Sequence, residues 1–395
     1  MTSSDKLLPI NNNNNAKLQS IDTDIPQTVT TQSKTSSSHR STRKFTWIRY
    51  AVIITVSIMI GFVISTIIHT RNQINTITTT EISEQNHSST DIPLNKIWNQ
   101  HGSIIAGGNG KGNGSNQLSA PSGICVDTDD QTVYIADTGN DRIIKWEYNA
   151  TYGKVVAGGN RKGNQIDQLN GPKVVIIDKN DDSLVICDYG NKRIVRWPRE
   201  NGAVGQTIID DISCTGLAID NNGDLYVSDD KYHTVRRWKK GEINGTIVAG
   251  KNGQGVDLNQ LNSPNTIFVD QNYSIYVSDT RNNRVMKWMK SAAEGIVVAG
   301  RYDKENDLAE LSSPVGMTVD HFGNIYVVDA RNRRIMYWSP YATEGKIAVA
   351  ANEKEAHSKH LSNPFGLALD RQYNLYVSDF WNDRVQKFCI VSDGN

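Results

Sequence analysis

Two regimes of hydrophobic patterning divide the chain. Between Tyr50 and Ile68 nineteen residues run without a charge, YAVIITVSIMIGFVISTII. As a helix this run is about 28 Å long, close to the roughly 30 Å of a bilayer's hydrocarbon core. Its many β-branched residues do not argue for strand, because backbone in lipid must satisfy its own hydrogen bonds. From about residue 97 onward the apolar segments become short, rich in Val, Ile and Tyr, and separated by Gly, Asn and Asp, which predicts strands joined by turns.

The second regime repeats itself. Asp137, Asp188, Asp229, Asp279, Asp329 and Asp379 are each followed nine residues later by an aromatic: Trp146, Trp197, Trp238, Trp288, Trp338 and Phe388. Pro121, Pro172, Pro264, Pro314 and Pro364 each precede another aspartate by six residues, and Cys214 takes the proline's place before Asp220. Each unit reads as four strands, as in PVGMTVD, IYVVD, RIMYW and KIAVA. The first two are apolar on both faces, as expected of sheets covered on each side. Such units around an axis make propeller blades. The last repeat lacks a fourth strand of its own, and SIIAG at Ser103–Gly107 is spare. The prediction is an all-β, six-bladed propeller over 96–395, closed by the N-terminal strand, which removes the open sheet edges.

Composition bears on what precedes the propeller. Residues 1–46 are rich in Ser, Thr and Asn with no apolar period, so they read as a disordered tail. The span 47–69 then reads as a single transmembrane signal-anchor helix, with Trp47 and Tyr50 at the interface, and Thr-rich 70–95 as a stalk. Arg40, Arg43, Lys44 and Arg49 flank the span on one side and Arg71 on the other. The N-terminus is therefore expected in the cytoplasm and the propeller outside it, extracellular or luminal: a single-pass type II protein. All five N-x-[ST] triplets, at Asn86, Asn113, Asn149, Asn244 and Asn272, follow the span and are candidate glycosylation sites. Lys+Arg and Asp+Glu are equal at 42 each, which gives no reason to expect nucleic acid as a partner.

In sharing the motif P-x(5)-D, YVxD, DxxNxR[IV]xxW, as in DTGNDRIIKW and DTRNNRVMKW, the units resemble NHL repeats over about residues 97–391. Arg142, Arg193, Arg284, Arg334 and Arg384 sit five after the strand-ending aspartates, and a residue needed in five units that cannot all touch one ligand serves the scaffold. An Arg–Asp pair with a neighbouring Asn is expected in each second hairpin, and the tryptophans are expected in the core. Function belongs where the units differ. Tyr189, Lys231, Tyr232, Arg281, Arg331, Phe380 and Trp381 occupy the second hairpins and form a candidate binding set, both basic and aromatic. The third repeat departs most, with Tyr232 and Thr234 in place of Asn and Arg, and a Cys187–Cys214 disulfide is one way to replace the lost contacts.

Enzymes exist on this architecture, so the fold does not decide. The resemblance to peptide α-amidating lyase implies a metal held by histidines that follow the first-strand prolines. Here those positions are Ser122, Lys173, Thr215, Asn265, Val315 and Phe365, none an imidazole. His101, His233, His321, His357 and His360 follow the stalk, and only His357 and His360 have metal-like spacing. No cofactor is expected, with zinc or calcium entering only if the protein is a metal-dependent hydrolase or lyase acting in the central channel. The favoured expectation is a non-catalytic module that binds a protein or glycan through one face of the propeller.

Overall fold

A computed structural model describes residues 97–129, 131–199, 204–300, 308–350 and 360–391. The tail, the span 47–69 and the stalk lie outside the described residues. Among the described residues no helix is long and apolar enough to cross a membrane.

Six four-stranded antiparallel sheets follow one another along the chain. Blade 4 is representative: Pro264–Val269, Ile275–Asp279, Arg284–Trp288 and Ile296–Ala299 pair in that order. Blades 1, 2, 3, 5 and 6 open at Pro121, Pro172, Cys214, Pro314 and Pro364. In blade 6 the strands Pro364–Leu369, Leu375–Asp379 and Arg384–Phe388 are joined by Ser103–Gly107, so the N-terminal strand closes the ring. A two-residue ribbon reinforces the closure, Ile97 pairing with Val391 and Trp98 with Ile390.

The opening proline of a first strand pairs with the aspartate that ends the second, as Pro264 does with Asp279. The starts of the first strands and the second hairpins therefore emerge together, on what is called here the upper face. The first-to-second and third-to-fourth turns emerge on the lower face.

Burial follows the repeat. Trp146, Trp197, Trp238, Trp288, Trp338 and Phe388 are all buried, each beside a neighbouring blade's residues. Trp98 is a seventh aromatic wedge. It lies edge-on to Tyr326 and Tyr337, at 5.8 and 5.5 Å between ring centres, and its indole N–H donates to the Tyr373 carbonyl at 2.9 Å. Gln100 donates to the Ala348 carbonyl and accepts from the Ala350 N–H, so the entering segment fastens blades 5 and 6 together.

Adjacent first strands approach so closely that a Cβ at Gly123 or Gly366 would collide with the carbonyl of Lys173 or Ser122. Hydroxyls sew these seams. Thr138 donates to the Pro172 carbonyl, Thr215 to that of Pro264 and Thr280 to that of Pro314, each at 2.7 Å. Ser378 donates to Ser122 O across the closing seam. Between blades 2 and 3 the disulfide Cys187–Cys214 lies in the same place, with Cα atoms 5.8 Å apart. Between blades 5 and 6 the seam is apolar, with Val315, Val328 and Ala330 against Phe365.

Trp288→Ala should lower unfolding stability by about 3–5 kcal/mol, because the indole is buried against blades 3 and 4 and a cavity would remain. Urea denaturation reads this out, and an unchanged midpoint would place the side chain outside the core.

Candidate binding face

The strand-ending aspartates Asp137, Asp188, Asp229, Asp279, Asp329 and Asp379 are all fully buried. A buried carboxylate is tolerable only when its oxygens are occupied. In five blades one oxygen accepts from the Nε of Arg142, Arg193, Arg284, Arg334 or Arg384 at 2.7–3.0 Å. The same oxygen accepts the amide of Asn140, Asn191, Asn282, Asn332 or Asn382 at 2.7–2.9 Å. The second oxygen accepts the backbone N–H of Ser119, Asn170, Asn262, Ser312 or Ser362 at 2.6–2.8 Å. Those five residues belong to the loop arriving from the previous blade.

The guanidinium grips the same loop. Arg142 donates to the carbonyls of Asn113, Gly114 and Gln117, and Arg284 to those of Val256, Asp257 and Gln260. The repeated arginines thus tie each incoming loop to the second hairpin, and their charge is spent within the scaffold. Burial nevertheless pushes the Asp137 and Asp279 carboxyls above their usual range, against the lowering by their Asn and Arg neighbours.

Blade 3 is the exception, with a structural cause. The connections into the other blades span residues such as 108–120 and 250–263, whereas blade 3 is entered through 210–213 alone. No long loop arrives, so an arginine there would find no carbonyls, and Thr234 occupies its position. Asp229 turns instead to its own hairpin and accepts the N–H of Lys231 at 3.0 Å. Its Oδ2 and the Thr234 hydroxyl have no partner among the described residues. Burial raises the Asp229 carboxyl above its ordinary value, opposed by the Lys231 and Tyr232 N–H groups.

The seven sequence-selected residues all stand on second hairpins at the upper face, spread over blades 2 to 6. Lys231 and Tyr232 are exposed and stack, the ammonium 4.8 Å from the ring centre. Arg281 and Arg331 are exposed, as is Trp381 at 64%. Phe380 is half-buried against Phe365, 6.1 Å between ring centres. Tyr189 is half-buried beneath Lys173, whose ammonium sits 3.3 Å from its ring centre. Burial pushes that ammonium down, with Asp230 opposing. Lys173 and Phe365 thereby join the set. Both follow the opening proline, and the sequence signal was that these positions differ from blade to blade.

A second feature lies on the opposite face. A cleft of about 800 Å³ opens between blades 4 and 5, lined among others by Asp270, Asn272, Lys287, Met289, Phe322 and Tyr341. None of the seven lines it. Lys287 Nζ lies 2.6 Å from the Tyr276 hydroxyl, and Asp270 is held by the turn N–H groups of Asn272 and Ser274. Sequence reasoning missed this cleft, because it depends on how two blades splay.

Among the described residues the histidines do not converge. His233 accepts the Ser263 N–H, His321 bonds the Tyr373 hydroxyl, and the His360 carbonyl accepts from Arg384. His357 lies outside the described residues. Among the described residues no three His, Cys, Asp or Glu are placed to hold a metal ion.

The family model for the NHL repeat matches residues 118–146, the loop, strands and arginine of blade 1. This chain is a six-bladed β-propeller that carries an NHL repeat in its first blade. No sequence among curated proteins matches it. Among solved structures, the propeller is similar to a protein of unknown function from Bacteroides thetaiotaomicron VPI-5482, with 17% identity, 74% of this chain and 76% of that one covered, and a TM-score of 0.59. The gluconolactonase XC5397 from Xanthomonas campestris is 13% identical over 70% of this chain and 87% of that one, with a TM-score of 0.52. A chain of the nidogen/laminin complex is 17% identical over 63% and 84%, with a TM-score of 0.50. At these identities the likeness is one of fold.

The two kinds of aspartate should respond to neutralisation to different extents. Asp279→Asn leaves Arg284 buried without its counter-charge and should cost about 3–5 kcal/mol at pH 7. Asp229→Asn removes a charge that burial disfavours, so stability should stay within about 1 kcal/mol of wild type or rise. The sign of the pH dependence follows. A folded-state carboxyl raised above its unfolded value favours folding below the unfolded pKa, and this advantage is lost as pH rises through the folded pKa. Asp229→Asn should therefore remove the contribution that protonating Asp229 makes to stability at low pH, a contribution of the same sign as those of Asp137 and Asp279. Urea denaturation between pH 4 and 8 measures both, and equal losses in the two variants would contradict the assignment.

Proposed function

We propose that the propeller is a recognition module, displayed outside the cytoplasm by the apolar span, that meets a protein or glycan ligand with its upper face. One observation carries the reading. Positions filled alike from blade to blade are buried and paired within the scaffold, whereas the second-hairpin positions that differ carry exposed Lys231, Tyr232, Arg281, Arg331 and Trp381. Cations beside aromatic rings are the side chains that dominate binding energy at protein surfaces. Their spread over blades 3 to 6 suits an extended ligand better than a small molecule. The shortened entry into blade 3 supports the same reading, since no long loop is tied down beside Lys231 and Tyr232.

Display outside the cytoplasm is supported by the positive flank of the span, by the exposure of Asn113, Asn149, Asn244 and Asn272, and by the Cys187–Cys214 bridge. The propeller of XC5397 belongs to a gluconolactonase, so a hydrolase or lyase acting in the central channel is the alternative. Lys173 favours it by one feature: at a first-strand opening it is an amine whose pKa burial lowers, a property of reactive lysines.

Two measurements separate these readings. Labelled propeller, residues 96–395, should bind saturably to cells or to a glycan array. Lys231→Glu combined with Trp381→Ala should weaken that binding at least about tenfold, whereas Tyr341→Ala on the lower face should not. Equal binding by all forms would remove the upper face from consideration. Metal analysis of the same protein should find no stoichiometric zinc or calcium, and about one tightly held ion per chain would favour the enzyme.

A further inference from the structure

Asn272 has two properties that no other described N-x-[ST] asparagine combines. It heads the triplet Asn272-Tyr273-Ser274, and it lines the cleft between blades 4 and 5. Asn113, Asn149 and Asn244 are exposed as well, but none lines the cleft. We propose that an N-linked glycan on Asn272 folds back into this cleft and lays its first sugars against Phe322 and Tyr341. The inference rests on the propeller being outside the cytoplasm. In the attachment a bond forms between Asn272 Nδ2 and C1 of an N-acetylglucosamine. The C1–oxygen bond of a lipid-linked pyrophosphate oligosaccharide breaks, and an amide proton is lost.

The root of such a glycan is held firmly. The Asn272 and Ser274 N–H groups both donate to Asp270 Oδ1, at 2.9 and 2.8 Å. The Tyr273 hydroxyl lies 3.3 Å from Asn222 Oδ1, and the Lys290 ammonium sits 4.3 Å over the Tyr273 ring. A fixed root lowers the entropy lost when the first sugars lie down. Ser274, the triplet's hydroxyl, is 2% exposed, so attachment precedes closure of this turn, as on a nascent chain.

The cleft suits the first sugars of a glycan in size and chemistry. Its volume of about 800 Å³ is that of a ligand site. A pyranose has an apolar face of C–H groups and a rim of hydroxyls. Phe322, 48% exposed, and Tyr341, fully exposed, offer aromatic faces to the first. The amides of Asn221 and Gln271, also in the lining, can pair with the second. Phe322 is already ordered by Tyr373, the two rings stacked with an interplanar angle of 21°. Covering these rings also removes an apolar surface from water.

The test is site-resolved release of N-glycans by a peptide amidase from the native full-length protein made in eukaryotic cells. Asn272 should be released about tenfold more slowly than Asn149 and Asn244, the factor that roughly 1.4 kcal/mol of protection gives. Denaturation should equalise the sites. Phe322→Ala with Tyr341→Ala, both on the surface, should restore the rate at Asn272 alone. Modified Asn149 and Asn244 beside an unmodified or equally labile Asn272 would overturn this proposal and leave the topology intact. A protein modified at no site would overturn the topology as well.

Discussion

Each blade of this propeller places a carboxylate where water cannot reach it, at the end of the second strand, and the upper half of the molecule is arranged around supplying its partners. Arginine and asparagine from the same hairpin take one oxygen, and a backbone N–H from the incoming loop takes the other. Because the arginine also spans several carbonyls of that loop, an ion pair within one blade becomes the fastening between two. Blade 3 serves as an internal control. Once its incoming loop is shortened to 210–213, arginine and asparagine are both gone, and the aspartate turns to its own hairpin. The three residue types act as one unit because each alone would leave a buried polar group unmet.

The seams obey a parallel logic. First strands pack closely enough to exclude side chains at some positions, so the short hydroxyls of Thr138, Thr215 and Thr280 reach across to the next blade. Where that device is missing, another holds the position: a disulfide at blades 2 and 3, apolar packing at blades 5 and 6. The weakest place in a ring is where its ends meet. Here the fourth strand of blade 6 comes from the N-terminus, and Trp98 and Gln100 extend the fastening into blade 5.

The two faces carry different chemistry for the same reason. On the upper face scaffold needs consume the repeated polar residues, and what remains for a ligand is a sparse set of cations and rings on hairpin tips. On the lower face short turns leave room for blades 4 and 5 to part, and the cleft between them is lined by repeat residues such as Asp270, Asp320 and Trp338 together with the unrepeated Met289, Phe322 and Tyr341. The propeller scaffold is compatible with binding and with catalysis, and the choice between them lies in such unrepeated side chains.

The blade number, the four-stranded unit and the closing strand Ser103–Gly107 were legible in the sequence, because the aspartate-to-aromatic spacing recurs and a spare strand can be counted. The Asp–Arg–Asn unit was legible as a local pair for the same reason. Its grip on the incoming loop was not, since the partners are main-chain carbonyls, which every residue type carries alike. Nor could the sequence say why blade 3 departs, although it marked Thr234 and Tyr232 as the departures. Trp98 between Tyr326 and Tyr337 and the cleft beside Phe322 both join residues of different blades. Periodicity reports what each unit needs to fold, and it is silent on contacts made once. Those contacts depend on the angle and distance between particular blades, which only the tertiary structure decides.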